Sequence, residues 1–319
     1  MSNSSIKLAD GNILTKKILN FDTIQAIFIN PSFHSLYRNS LLSSPKLPKS
    51  LRDKLDSNKI FTLHYLYTSF LVNVGRLNTT LTFQPQIRSN LRVFYPIPSL
   101  RLSHFLLGDS PRIKNVLNGT LDPNCVSLQD VQLRLINGIH PPTPLTNFIF
   151  ILFNSAQTIN RDNLHSGFTL HNLLWPSNIP SHLASNAFLW LVYHYLHKVS
   201  DDQSHPNPFD DDWSRQHPGR CPRLVQLSDA ELMHENIDLP EDLEWATQMQ
   251  QQRIHFLTQL NPQSTDHEPS ITHENFNSHS LLAIATKDAL ETPLHNYQDD
   301  LANEPTHAIS RKLAIINSI

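Results

Sequence analysis

The chain has 319 residues, 39% of them hydrophobic and 17% charged, with a formal net charge of −3. That length holds one large domain or two smaller ones, and the charge content is too low for a disordered charged chain. Its seven glycines, none within four residues of another, cannot write a phosphate-cradling loop, and its two cysteines, Cys125 and Cys221, exclude a disulfide framework and a Cys₄ or Cys₂His₂ zinc site.

The opening residues, Met1-Ser-Asn-Ser-Ser-Ile-Lys7, lack the apolar core of a signal peptide. The first clear helical pattern covers about 57–75, where Ile60, Leu63, Tyr67, Phe70 or Leu71, and Val74 recur at helical spacing. Ser57 is the expected N-cap, and Gly75 stands where a left-handed residue ends a helix. Four prolines between 84 and 114 chop the next segment into short pieces. Short helices are expected from Pro111 to Leu117 and over 127–137, the second capped by Ser127. His140-Pro-Pro-Thr-Pro144 reads as a stiff extended linker.

The run 148–153 is continuously apolar and reads as a buried helix, capped by Thr146 or Asn147 and prolonged through 156–159. The most buried helix is expected at 182–198, capped by Ser181. Between 187 and 196 only His194 is clearly polar, so that helix is apolar nearly all round. Both apolar runs are far short of the ~20 residues that cross a bilayer, so no membrane partner is expected. A Pro-rich loop over 200–223 carries the acidic run 210–212, expected to be solvated. Ser228-Asp-Ala-Glu231 is a capping box, and Asp238-Leu-Pro-Glu241 repeats the pattern before a helix reaching about Leu260. Two stripes are written on that helix, Trp245, Met249, Phe256 and Leu260 beside Leu243, Ala246, Ile254 and Leu257. From 262 the chain turns polar. The fold class expected is mainly α: an irregular multi-helix domain over 5–260 and a polar, largely flexible C-terminal tail over 261–319.

Charge is unevenly spread. Residues 38–114 hold twelve Lys/Arg against three Asp/Glu, and residues 201–274 hold four against fifteen. Such asymmetry suits an anionic partner for one part and a basic partner for the other, or mutual attraction within one fold. Within the basic part, Arg76, Arg88, Arg92, Arg101, Arg112 and Lys114 are opposed only by Asp109. This band is the candidate contact for DNA phosphates or an acidic partner. A solvated face, or pairing with the acidic segment, explains the same residues.

Several stretches, taken in order, resemble the Ino eighty subunit 1 family of fungi. They are Lys7-Leu-Ala-Asp-Gly11, Leu71-Val-Asn-Val-Gly-Arg-Leu-Asn-Thr-Thr80, Pro98-Ser-Leu100, Pro111-Arg-Ile-Lys-Asn-Val-Leu117, Ala187-Phe-Leu-Trp-Leu191, Asn207-Pro-Phe209 and Glu235-Asn-Ile-Asp238. The resemblance covers about 5–260. It implies a nuclear, non-catalytic accessory subunit of a chromatin-remodelling complex, whose partners are the other subunits; nucleosomal DNA is a candidate partner through the basic band. In such a complex a separate motor hydrolyses ATP. Thr15-Lys16 stands where the family often has Trp-Arg, and the C-terminal end does not resemble the family.

No catalytic residue, metal site or cofactor is expected. HExxH, Cys-x-x-Cys and G-x-S-x-G are all absent. Eighteen histidines nonetheless leave a different class of function open: a free-standing metal-dependent hydrolase built on His194, His197, His205, His217 and the 210–212 aspartates. A cytosolic scaffold is the other alternative, since only a diffuse basic stretch at 46–59 could serve nuclear import.

Overall fold

The computed structural model describes residues 6–7, 15–78, 110–197 and 206–260, and these are mainly α-helical. All lie in one unit, Met1–Asn261. The expected tail over 261–319 lies outside the described residues.

Five helices open the described chain: α1 (Lys16–Leu19), α2 (Phe21–Ile29), α3 (Pro31–Leu42), α4 (Lys49–Ser57) and α5 (Lys59–Asn73). Each junction has a local cause. Asn20 adopts φ 50 between α1 and α2, a left-handed conformation that asparagine tolerates. The Asn30 side chain accepts from the Phe33 N–H, and Pro31 opens α3 with its φ already set. Asn58, not Ser57, caps α5, because its Oδ1 accepts from the Phe61 N–H at 3.0 Å. Ser57 ends α4 and donates to the Asp53 carbonyl instead. Gly75 takes φ 75, with its N–H on the Val72 carbonyl and the Arg76 N–H on that of Leu71. This pair of bonds closes the C-terminus of α5 as a Schellman motif.

After α5, β2 (Leu77–Asn78) pairs in parallel with β1 (Ile6–Lys7), which precedes α1. The pair joins the first two stretches that carry the family resemblance. Next come α6 (Ser110–Gly119) and α7 (Leu128–Ile136), the latter capped by Ser127 as expected. Gly119 is held to glycine by close approach, since a Cβ there would lie 2.3 Å from Ser44 Oγ. The connection after α7 is bent over 140–143 rather than extended, and contains a cis His140–Pro141 peptide.

The apolar run 148–153 forms α8 (Leu145–Asn154). Its first turn begins after Pro144, so Thr146 and Asn147 lie inside the helix, where Thr146 Oγ1 donates to Thr120 Oγ1 and Asn147 Nδ2 to the Cys125 carbonyl. Ser155 separates α8 from α9 (Ala156–Asp162), so the expected prolongation is a distinct helix. Then come α10 (Leu170–Leu174) and α11 (Ser181–His197), the core helix. α11 packs against α2, α7 and α10, while α3 and α5 pack on α8. Phe28, Phe33, Tyr37, Phe70 and Phe188 interlock from α2, α3, α5 and α11, mostly edge to face at ring distances of 5.2–6.0 Å. Two polar pins fix its register: Tyr37 OH donates to Asn73 Oδ1, and Asn73 Nδ2 to the Thr146 carbonyl.

The Pro-rich loop carries a short helix that the sequence did not announce, α12 (Asp212–Gln216). The Ser228 capping box opens α13 (Asp229–Leu232), and α14 (Pro240–Leu260) ends the described chain. On α14 Ala246 is buried, Trp245 is half-buried, and Leu243 and Ile254 of the expected second stripe are exposed.

Candidate interaction surfaces

The basic band does not survive intact. Arg76 is only 3% exposed. The Schellman turn at Gly75 points it inward, where its Nη2 donates to the Ile18 carbonyl at the end of α1. Its guanidinium lies 5.1 Å from the Trp175 ring centroid, a cation–π contact. Burial pushes its pKa down to about 10. A phosphate cannot reach it, so Arg76 is removed from the candidate contact and assigned to the joint between α1 and α5. Arg112 and Lys114 are exposed on α6, on either side of the buried stripe Ile113, Val116 and Leu117. Arg88, Arg92 and Arg101 lie outside the described residues.

The acidic run 210–212 is mostly structural, contrary to the solvated loop expected. Asp210 Oδ1 accepts from Trp190 Nε1 at 2.7 Å and from Ser214 Oγ at 3.1 Å. Asp211 caps α12 through the Ser214 N–H and also accepts from the Arg223 N–H, which holds its carboxyl below the usual aspartate range although burial opposes this. Only Asp212 faces solvent, paired with Arg215. Asn207 completes the joint by donating to the Trp190 carbonyl. The Asn207-Pro-Phe209 stretch therefore docks the loop on α11.

The histidines considered for a metal are engaged with aromatic rings. His194 stacks on Trp190 at 4.6 Å, His197 on Tyr193 at 5.0 Å and His217 on Trp213 at 4.0 Å. His205 lies outside the described residues. Among the described residues no three metal-ligating groups converge, and no helix is long and apolar enough to cross a membrane.

The role of Glu235-Asn-Ile-Asp238 is not legible in its neighbours along the chain. Glu235 Oε2 accepts from the Ser181 N–H at 2.8 Å, at the start of α11. Asn236 Oδ1 accepts from the Asp22 N–H at 2.9 Å, in the first turn of α2, and Asp22 Oδ2 accepts in return from the Asn236 N–H at 2.6 Å. Asp238 Oδ1 accepts from the Lys16 N–H at 2.7 Å, at the start of α1. Three helix N-termini, each with unpaired N–H groups and a positive dipole end, are thus satisfied by one four-residue segment. Asn236 adopts φ 54 to make this possible. The clamp turns Glu235, Asn236 and Asp238 towards the helices and leaves Ile237 57% exposed.

A family model described as the Ino eighty subunit 1 N-terminal domain matches residues 2–257. Among curated proteins, the chain is similar to Ino eighty subunit 1 of Emericella nidulans, 27% identical over an alignment of 285 residues that covers 81% of this chain and 36% of that protein. It is also similar to Ino eighty subunit 1 of Saccharomyces cerevisiae, 39% identical over 89 residues, which are 27% of this chain and 13% of that protein. The chain thus spans about a third of the length of the first relative and less of the second. No solved structure matches it.

Proposed function

The chain belongs to the Ino eighty subunit 1 family, and from that membership we propose that it is a non-catalytic accessory subunit of a nuclear, ATP-dependent nucleosome-remodelling complex. The observation that carries this reading is the match of the family's N-terminal domain across most of the chain. The scattered glycines, which cannot cradle a nucleotide phosphate, fit a subunit that leaves ATP hydrolysis to a separate motor. In this reading the 5–260 domain docks on other subunits, and 261–319 is a tail beyond it. Sedimentation of a nuclear extract tests it. The tagged 36.5 kDa chain should travel with a far heavier assembly, and a peak at the size of the free chain would overturn the proposal.

Arg112 and Lys114, with Arg88, Arg92 and Arg101, are proposed to contact nucleosomal DNA or an acidic partner. What supports this is the exposure of Arg112 and Lys114 on α6 and the single acid within the band. Each phosphate contact adds about 0.9 to the slope of log affinity against log salt. Arg112→Glu with Lys114→Glu should therefore weaken nucleosome binding by the complex and flatten that slope by about 1.8. An unchanged affinity and slope would remove both residues from the contact.

A further inference from the structure

The clamp has a second face. Its three polar side chains reach inward, and the apolar ones between and beside them stand in solvent: Met233 is 77% exposed, Leu239 56% and Leu243 44%, alongside Ile237. These side chains do not hang on a slack loop. Hydrogen bonds to the starts of α1, α2 and α11 hold the backbone from 235 to 238, and the Leu243 N–H on the Leu239 carbonyl ties Leu239 to the first turn of α14. Four large apolar side chains within eleven residues, held outward on a fixed backbone, cost solubility with no return to this chain's own core.

Their surroundings say what covers them. Residues 224–252 contain seven Asp/Glu and no Lys or Arg; Glu235 and Asp238 are turned inward and Asp242 is buried, while Glu231, Glu241 and Glu244 are exposed, the last two beside Leu243. A nucleic acid or an anionic lipid surface would be repelled. A second copy meeting the same face would set carboxylates against carboxylates. The complement is a segment with apolar anchors and cationic flanks.

We propose that Met233, Ile237, Leu239 and Leu243, flanked by Glu241 and Glu244, are the docking surface for a Lys/Arg-rich amphipathic segment of another protein subunit. The inference rests on the accessory-subunit reading and adds to it where the contact is made and the chemistry of what makes it. Met233→p-benzoylphenylalanine in the full chain, followed by photo-crosslinking in the assembled complex and peptide mapping, tests it. The expected product is a crosslink to a peptide of a different subunit with Lys/Arg in excess over Asp/Glu. Its yield should fall about tenfold or more when Glu241→Lys and Glu244→Lys are added, since both then oppose the partner's charge. Because Glu241 stands in the first turn of α14, circular dichroism is used to confirm that the variant keeps its helix content. Three results overturn the proposal while the chain remains in the complex: no crosslink, a crosslink to this chain's own 88–114 stretch or to a second copy, or a crosslink to an acidic peptide. If the chain is missing from the complex altogether, the accessory-subunit reading fails and takes this inference with it.

Discussion

Trp190→Ala should lower the unfolding free energy by about 3–5 kcal/mol, the usual range for deleting a buried aromatic side chain. Trp190 is 2% exposed near the middle of α11. It does three jobs at once. Its ring fills the core, its face stacks on His194, and its Nε1–H satisfies the Asp210 carboxylate, which also accepts from the Asn207 N–H and Ser214 Oγ. Alanine leaves a cavity and one carboxylate oxygen short of a donor. Trp190→Phe separates the two effects: it keeps most of the volume, loses the N–H, and should cost about 1–3 kcal/mol. Urea unfolding followed by circular dichroism measures both. A loss under 1 kcal/mol for alanine would mean that α11 is not the centre of the core.

Glu235→Ala with Asp238→Ala is the second large effect expected. Each substitution removes the acceptor that satisfies a helix N-terminus, and such losses cost about 0.5–2 kcal/mol apiece. The two act on different helices, α11 and α1, but through one four-residue segment, so the double loss should depart from the sum of the single ones. Glu235→Gln keeps an acceptor oxygen for the Ser181 N–H while discarding the charge, so it should recover part of the loss. The double variant also frees the backbone that presents Ile237. Its partner binding should therefore fall beyond what its stability loss explains, measured where the variant is still fully folded. Near wild-type stability in urea for the double variant would contradict the clamp.

What could be read from the sequence was what is written locally. The α11 core followed from ten nearly unbroken apolar residues, the α5 C-terminus from Gly75, and the caps of α7 and α13 from Ser127 and Ser228. What escaped depends on distant partners. Asp238 and Lys16 are 222 residues apart, and Asn236 and Asp22 are 214 apart. Nothing beside Glu235-Asn-Ile-Asp238 says that its polar groups serve three other helices. The burial of Arg76 is hidden for a related reason: a count of charges along a chain does not tell which way a side chain points, and the turn at Gly75 sends this one inward. Asp210 looked like part of a solvated acidic run because Trp190, its partner, lies in another element. The stretches that carried the family resemblance are largely joints of the fold: the β1–β2 pair, the Schellman turn, the 207–209 dock and the clamp. Family membership was therefore more legible than the surfaces by which a member works.

Affinity purification of the tagged full chain from nuclear extract, with the recovered proteins identified by mass spectrometry, tests the central claim most directly. The accessory-subunit account predicts co-recovery of a remodelling motor with its other subunits in constant proportion. Recovery of the chain alone, or with cytosolic proteins only, would contradict it.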